Sequence, residues 1–193
     1  ADISAQTQIG RSPLHFAAGE GSHELVNLLL TRGADVNAVD YCGRTALHDA
    51  SEQRGLIKQD FDTTVRLLIE ANANVNQRTT SHNETPLHKA AAGMSVDIIA
   101  RLLCAGADVC ALDSRNESPL YKAANMRNRM THPFLTTLLD ADADVHCTST
   151  VTGATAFDVT AYDGSLRSTT LLASRGANHD GLPKSAFLTE EEI

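Results

Sequence analysis

A four-residue motif that returns five times constrains the fold of this chain more than any other feature. It reads SPLH at 12–15, and its later copies are TALH at 45–48, TPLH at 85–88, SPLY at 118–121 and TAFD at 155–158. The intervals between successive copies are 33, 40, 33 and 37 residues. A period of this length predicts an array of stacked units, each of which buries its apolar face only against its neighbours.

The residues around the motif predict two helices in each copy. Ser or Thr followed by Pro favours a helix start, because the hydroxyl caps unpaired backbone N–H groups and Pro suits the first helical position. A second apolar segment follows, for example LVNLLL at 25–30, with apolar residues at helical spacing. A phrase of the GADVN type then ends each copy. The chain needs a left-handed residue there, and the sequence supplies Gly33, Asn72, Gly106, Asp142 and Gly176.

The motif, its period and the GADVN phrase resemble those of the ankyrin-repeat family, and the resemblance extends to about Asp180. It implies an all-α ankyrin-repeat solenoid of stacked helix–turn–helix units with β-hairpin loops, in which the first helices line a concave face. It also implies that the motif histidine bonds the motif hydroxyl and nearby backbone, at His15, His48 and His88. Tyr121 and Asp158 replace that histidine, so we expect the fourth and fifth copies to be held together less regularly.

The motif spacing divides the chain into segments. We predict the tail of a truncated preceding repeat at 1–9, five ankyrin repeats at 10–42, 43–82, 83–115, 116–152 and 153–180, and an acidic tail at 181–193. The second repeat carries an insertion between its helices within 51–64, and the fourth carries a shorter one within 125–134. Because ADISA at the start matches ADVNA at 34–38, we expect a cut edge whose apolar face, around Leu14, Leu25 and Leu28, is exposed or differently capped.

Composition narrows the classes of function. The chain is 42% hydrophobic and 21% charged, as a globular protein is. Its formal net charge of −8 makes nucleic-acid binding unfavourable. Four cysteines without a C-x-x-C pair indicate reduced thiols inside the cell, in the cytoplasm or nucleus. The sequence does not open on a signal-peptide pattern and holds no apolar run of the roughly 20 residues that span a bilayer, so we expect no membrane insertion.

No assembled catalytic set is visible in the sequence. It contains neither a Gly-rich phosphate loop nor a G-x-S-x-G motif, and its carboxylates are scattered. The motif histidines lie one per repeat, too far apart to share a metal ion whose ligands lie at about 2.0–2.1 Å. We therefore predict a chain that is not an enzyme and that needs no cofactor and no metal.

One position in the repeat favours a binding function. Two residues after the motif leucine the copies read Phe16, Asp49, Lys89, Lys122 and Val159, which predicts a charged ribbon along the concave face. Loop residues and the ends of the first helices extend it. A mixed strip with a few large anchors suits a protein or peptide ligand. The predicted partner-binding set is Arg11, Phe16, Tyr41, Arg44, Asp49, Glu52, Gln53, His82, Glu84, Lys89, Arg115, Glu117, Lys122, Asn125 and Met126.

The leading hypothesis is a non-enzymatic protein–protein interaction module, part of a larger scaffold or of the substrate-recognition part of a ubiquitin ligase. The alternative is a regulatory segment of a larger enzyme or signalling protein, and a less favoured one is a nucleic-acid or nucleotide-binding array. Asn37 and Asn76 resemble the ankyrin asparagines that an oxygen-dependent hydroxylase modifies. The other interpretation of these residues is structural, as asparagines that hold their turns.

Overall fold

A computed structural model describes residues 2–53, 60–93, 95–126 and 131–178. Parts of both predicted insertions and the whole predicted acidic tail lie outside the described residues. Ten α-helices form in the described part, two in each predicted repeat, although the exact repeat boundaries remain predictions. They are α1 (Pro13–Gly19), α2 (His23–Thr31), α3 (Ala46–Glu52), α4 (Phe61–Glu70), α5 (Pro86–Gly93), α6 (Val96–Cys104), α7 (Pro119–Ala124), α8 (His132–Leu139), α9 (Ala156–Tyr162) and α10 (Leu166–Ser174).

The motif starts the first helix of each of the first three repeats through its own side chains. At α1 the backbone N–H of Ser12 donates to Nδ1 of His15 at 3.1 Å, and the Ser12 hydroxyl lies 2.9 Å from the same nitrogen. Because Nδ1 accepts, the ring proton is on Nε2, which donates to the carbonyl of Arg44 in the next repeat at 3.0 Å. The same arrangement recurs in the next two repeats. The implied role of the motif histidine is confirmed.

The two replacements of that histidine behave differently from it. The Tyr121 hydroxyl lies 3.0 Å from Oγ1 of Thr152 in the following loop, so a side chain replaces the backbone carbonyl as the partner in the next repeat. Asp158 accepts hydrogen bonds from the backbone N–H and the hydroxyl of Thr155, both at 2.8 Å. The fourth and fifth copies therefore depart from the regular pattern, as expected.

The helices stack in two layers. The first helices α1, α3, α5, α7 and α9 contact one another in that order, and the second helices α2, α4, α6, α8 and α10 do the same. The motif leucines lie between the layers and are at most 1% exposed, and small alanines such as Ala18 and Ala50 let adjacent helices approach closely. Among the described residues the main helix contacts thus lie within a repeat or between adjacent repeats, which is the arrangement of a helical solenoid.

The loops between repeats turn back in five segments that we call tips: residues 7–11, 40–44, 79–84, 113–117 and 149–154. In each tip the first N–H donates to the last carbonyl, as Asp40 does to Arg44 at 2.9 Å. Neighbouring tips share a further backbone bond, such as Tyr41 N to Ile9 O at 3.1 Å. Bonds this few form no strand in the described residues, so the expected β-hairpins are hydrogen-bonded turns. Tips 79–84 and 149–154 each hold one extra residue.

The left-handed residues fall where the sequence predicts them. Each lies just after a second helix and has a positive φ, between 63° and 91°. Gly106, at 87°, has no atom within 4 Å of the position its side chain would take, so backbone conformation rather than crowding favours glycine there. Asn72 and Asp142 adopt the same conformation at 64° and 63°, which their short polar side chains tolerate.

The outer face of the first helix pair is partly uncovered. Leu25 and Leu28 on α2 are 44% and 47% exposed, as predicted, whereas the prediction is wrong for Leu14, which is 1% exposed because it packs in the core. In the other four second helices the position of Leu25 is buried, in the residues Thr64, Ile98, Phe134 and Ser168. In the last pair the preceding repeat covers this position, because the Ser168 hydroxyl bonds the hydroxyl of Thr131 in that repeat at 2.9 Å.

Candidate functional site

The predicted partner-binding residues belong to the first helices, to the residues that end those helices, and to the tips. We call the surface formed by α1, α3, α5, α7, α9 and the five tips the first-helix face. Most of the predicted residues on this face are of two kinds. One kind forms half-buried ion pairs, and the other is exposed to solvent.

One group of ion pairs lies at the N-terminal end of the face. Asp49, on α3, is only 4% exposed and receives two guanidinium groups, those of Arg11 from the preceding tip and Arg44 from its own. Arg44 also bonds Glu52 at 2.6 Å. Burial alone would lower the pKa of Arg44, but Asp49 and Glu52 outweigh it and hold the pKa above its ordinary value. Because Arg11 and Asp49 come from different repeats, the pair also fastens the first repeat to the second.

A second group lies around α5 and α7. Glu84 pairs with Lys89, and Lys122 bonds Asp113 at 2.8 Å and Glu117 at 2.7 Å while lying 3.6 Å from Glu84. Burial tends to lower the pKa of Lys122, yet its bonds to the two carboxylates raise it above the ordinary value. Burial tends to raise the pKa of Glu84 and Asp113, and the lysine partners hold both below the usual range. Asp113 was not among the sequence-predicted residues.

The side chains of the predicted charged ribbon are paired with other residues of the chain and are therefore not free charges for a partner. Asp49, Lys89 and Lys122 are 4%, 15% and 17% exposed on their side chains, and each already has an oppositely charged partner. Replacing both lysines by acids would place them among three existing carboxylates. That change would test the folding of this region and not only its binding of a partner.

The exposed predicted residues are Phe16, Tyr41, His82, Arg115 and Asn125. Phe16 is 47% exposed and Tyr41 is 73% exposed. Gln53 and Met126 lie just after α3 and α7 and are partly buried. Sequence reasoning missed two exposed apolar residues of the tips, Ile9 and Val151, which are 58% and 66% exposed. Their position one or two residues before the tip glycine, in the turn of the tip, could have indicated them.

Asn37 and Asn76 tie neighbouring loops together. The amide of Asn37 donates to the Asn72 carbonyl at 3.2 Å, and its oxygen accepts from the Asn74 N–H at 2.8 Å. Asn76 makes the equivalent pair of bonds one repeat further on. Their modification by a hydroxylase stays a prediction, while the contacts give both residues a structural role.

Cys110 takes the same position in the next loop, where its thiol makes one long contact of 3.8 Å to the carbonyl of Asp142. Nearby, the pKa of the Cys147 thiol is raised to about 12, mainly by burial and then by a hydrogen bond to Asp144.

In the described part of the chain, no three His, Cys, Asp or Glu side chains are grouped closely enough to hold a metal ion. None of the helices described is long and apolar enough to cross a membrane.

Comparison with known proteins agrees with this architecture. The family model of ankyrin repeats in three copies matches residues 1–79 and 57–149. The chain is 32% identical over 167 residues to the E3 ubiquitin-protein ligase XBAT33 of Arabidopsis thaliana, covering 86% of this chain and 29% of that protein. It is 35% identical over 127 residues to the B-cell lymphoma 3 protein homolog of Mus musculus, covering 65% of this chain and 27% of that protein.

A third relative, the putative ankyrin repeat protein FPV031 of Fowlpox virus, is 41% identical over 121 residues, which cover 61% of this chain and 33% of that protein. The chain therefore spans about a third or less of these relatives' lengths. Ankyrin repeats are non-catalytic modules that mediate interactions between proteins. The matched family model, the two layers of paired helices and the motif histidine contacts all lead to one assignment: the chain belongs to the ankyrin-repeat family.

Proposed function

We propose that the chain is a non-enzymatic interaction module that binds a protein or peptide on the first-helix face, which corresponds to the concave face implied by the resemblance. The observation that carries the proposal is the unbroken row of first helices and linked tips. That row presents exposed side chains from three successive repeats, at Phe16 and Tyr41, at His82 and at Arg115. A continuous strip with aromatic and arginine anchors suits a macromolecular ligand.

We also propose that the module is part of a larger protein. One relative is named as an E3 ubiquitin-protein ligase, which favours a role as the recognition part of a larger scaffold or ligase. A regulatory segment of a larger enzyme or signalling protein is the second candidate, since another relative is named as a tyrosine-protein kinase. A nucleic-acid array is less favoured, because Arg11, Arg44 and Lys122 are already paired with carboxylates. We place the module inside the cell, in the cytoplasm or nucleus.

Site-specific photo-crosslinking in living cells tests the proposed face. A photoreactive amino acid is placed singly at the exposed positions of Tyr41, His82 and Asn125 on the first-helix face. Matched control positions are Asp97 and Ser174, which are exposed on second helices. We expect one or more proteins to crosslink at the first set and not at the controls.

Two results would count against the proposal. Crosslinks formed mainly at Asp97 and Ser174 would move the interaction to the second-helix layer. No crosslinked protein at either set would contradict an interaction function for this chain. Circular dichroism of each purified variant checks that the helices are intact.

A further inference from the structure

The N-terminal end of the first-helix face carries three exposed apolar side chains, which we together call the aromatic platform: Ile9, Phe16 and Tyr41. These three side chains are 58%, 47% and 73% exposed. Tyr41 lies across Gly10 of the preceding tip, since a side chain built at Gly10 would come within 2.7 Å of the tyrosine ring. The backbone N–H of Tyr41 also donates to the carbonyl of Ile9 at 3.1 Å, which fixes these two residues side by side.

Phe16 joins the platform through Arg11, the residue after Gly10. The Arg11 guanidinium lies 4.8 Å from the centre of the Phe16 ring, within cation–π range. The same guanidinium also pairs with Asp49, so it is held from two sides. A shallow hollow opens beside it, lined by Arg11, Phe16, Gly19, Glu20 and Asp49. The contact with Gly10 and the bond to Ile9 thus hold Tyr41, the paired Arg11 guanidinium holds Phe16, and the hollow lies beside Phe16.

The charges around the platform determine which partner fits. Arg11 and Arg44 are both bound by Asp49, and Arg44 is bound by Glu52 as well. An acidic partner would have to break these pairs to gain an arginine. Glu20, at the rim of the hollow, is exposed and would repel such a partner further. Apolar contact is therefore the main interaction that the platform offers, and a basic residue is tolerated beside Glu20 where an acidic one is not.

We propose that the aromatic platform is the primary docking site for a peptide segment that carries aromatic or aliphatic side chains and no acidic residue. This inference rests on the proposed interaction function and specifies the partner's chemistry. Two aromatic rings on a rigid support lose little conformational freedom on binding, so they act as anchors. Since the local cations are already paired, we expect binding to change little with salt.

Selection from a random peptide library displayed on phage tests this without a known partner. The purified chain is the target, and the enriched peptides are synthesised and their dissociation constants measured. We expect enrichment of Phe, Tyr, Trp, Leu or Ile and depletion of Asp and Glu. Raising the ionic strength from about 0.1 M to about 1 M shortens the Debye length from about 10 Å to about 3 Å, and we expect less than about a threefold change in affinity.

The variant F16S/Y41S should weaken binding of these peptides by about tenfold or more. Leu28→Ser is the matched control, since Leu28 is an apolar residue with a similar exposure of 47% on α2, and it should leave the affinity unchanged.

Enrichment of acidic peptides, equal binding by F16S/Y41S, or no enrichment at all would overturn the inference. If crosslinking still captures a protein on the first-helix face, only this inference fails. If neither experiment detects binding, the proposed function fails too.

Discussion

At the scale of single residues, the motif histidines link local capping to stacking, and that role carries a pH dependence. His48 is fully buried, and burial lowers its pKa to about 4, whereas the unfolded chain has a pKa of about 6.5. Between about pH 6.5 and pH 4 the unfolded state binds a proton that the folded state does not. His48 therefore stabilises the fold fully above about pH 6.5, and that contribution is lost as the pH falls.

We expect the free energy of unfolding to fall by up to about 1.4 kcal/mol per pH unit from this one group. Urea unfolding at several values between about pH 7 and pH 5 measures it. In this range the ordinary carboxyl groups have not yet titrated, so they do not obscure the effect. His48→Gln should show a shallower dependence on pH than the unchanged chain. Identical slopes would show that His48 does not titrate as its burial implies.

Cys110 gives a second prediction at this scale. It occupies the loop position where Asn37 and Asn76 each make two bonds to the next loop, but its thiol makes one long contact. Cys110→Asn should restore the pair of bonds and raise the free energy of unfolding by about 0.5–1.5 kcal/mol. Cys42→Asn is the control, because Cys42 is also exposed but lies in a tip. Equal effects of the two substitutions would rule out the restored bonds as the cause.

At the scale of helices, the last pair has the weakest apolar packing. In α6 the buried residues are Ile98, Ile99 and Leu102, whereas in α10 they are Ser168 and Leu172. A hydroxyl pair, Thr131 and Ser168, lies in the interface with the preceding repeat, where α6 has an isoleucine at the position of Ser168. Because burial of aliphatic groups provides most of the stability of such a pair, α9 and α10 are expected to be less stable than α5 and α6.

Native-state hydrogen exchange resolved to single helices tests this expectation. The amides of α9 and α10 should exchange through an opening that costs less free energy than the opening of α5 and α6. Equal protection of both pairs, up to the stability of the whole chain, would indicate that the repeats unfold as one unit and contradict the expectation.

The helices could be predicted because their signals are local, whereas the site could not be fully predicted because its contacts are not. The Ser12–His15 bond spans three residues, and a motif reveals it. Arg11 and Asp49 are 38 residues apart and meet only because the repeats stack. The sequence showed Lys122 as a charge available to a partner, although Asp113 and Glu117 of the tip just before α7 pair with it, and only the stack brings Glu84 to within 3.6 Å of it. The periodic pattern predicted the position of each side chain, but not its pairing.

At the scale of the whole molecule, the uncovered face of α2 distinguishes the first repeat from the other four. Leu25 is 44% exposed, while Ile98, at the same position two repeats later, is fully buried. Leu25→Ser should lower the free energy of unfolding by about 1 kcal/mol or less, since part of its surface already meets water. Ile98→Ser should cost about 3–5 kcal/mol, because it leaves a cavity and buries a hydroxyl.

Thermal and urea unfolding of the two variants beside the unchanged chain provide the comparison. A large loss for Leu25→Ser would show that α2 is covered in solution, for instance by a second copy. Sedimentation velocity separates that case from a loss of internal packing, since only association changes the mass.

The tips can differ in length from one repeat to another. Tips 79–84 and 149–154 contain one more residue than the other three, yet each closes with the same first-to-last backbone bond and keeps its bond to the preceding tip. The additional residue is accommodated at the turn itself, between the two residues that close the tip. Natural variants are therefore expected to gain and lose single codons at the tips, while deletions within the first helices are eliminated by selection.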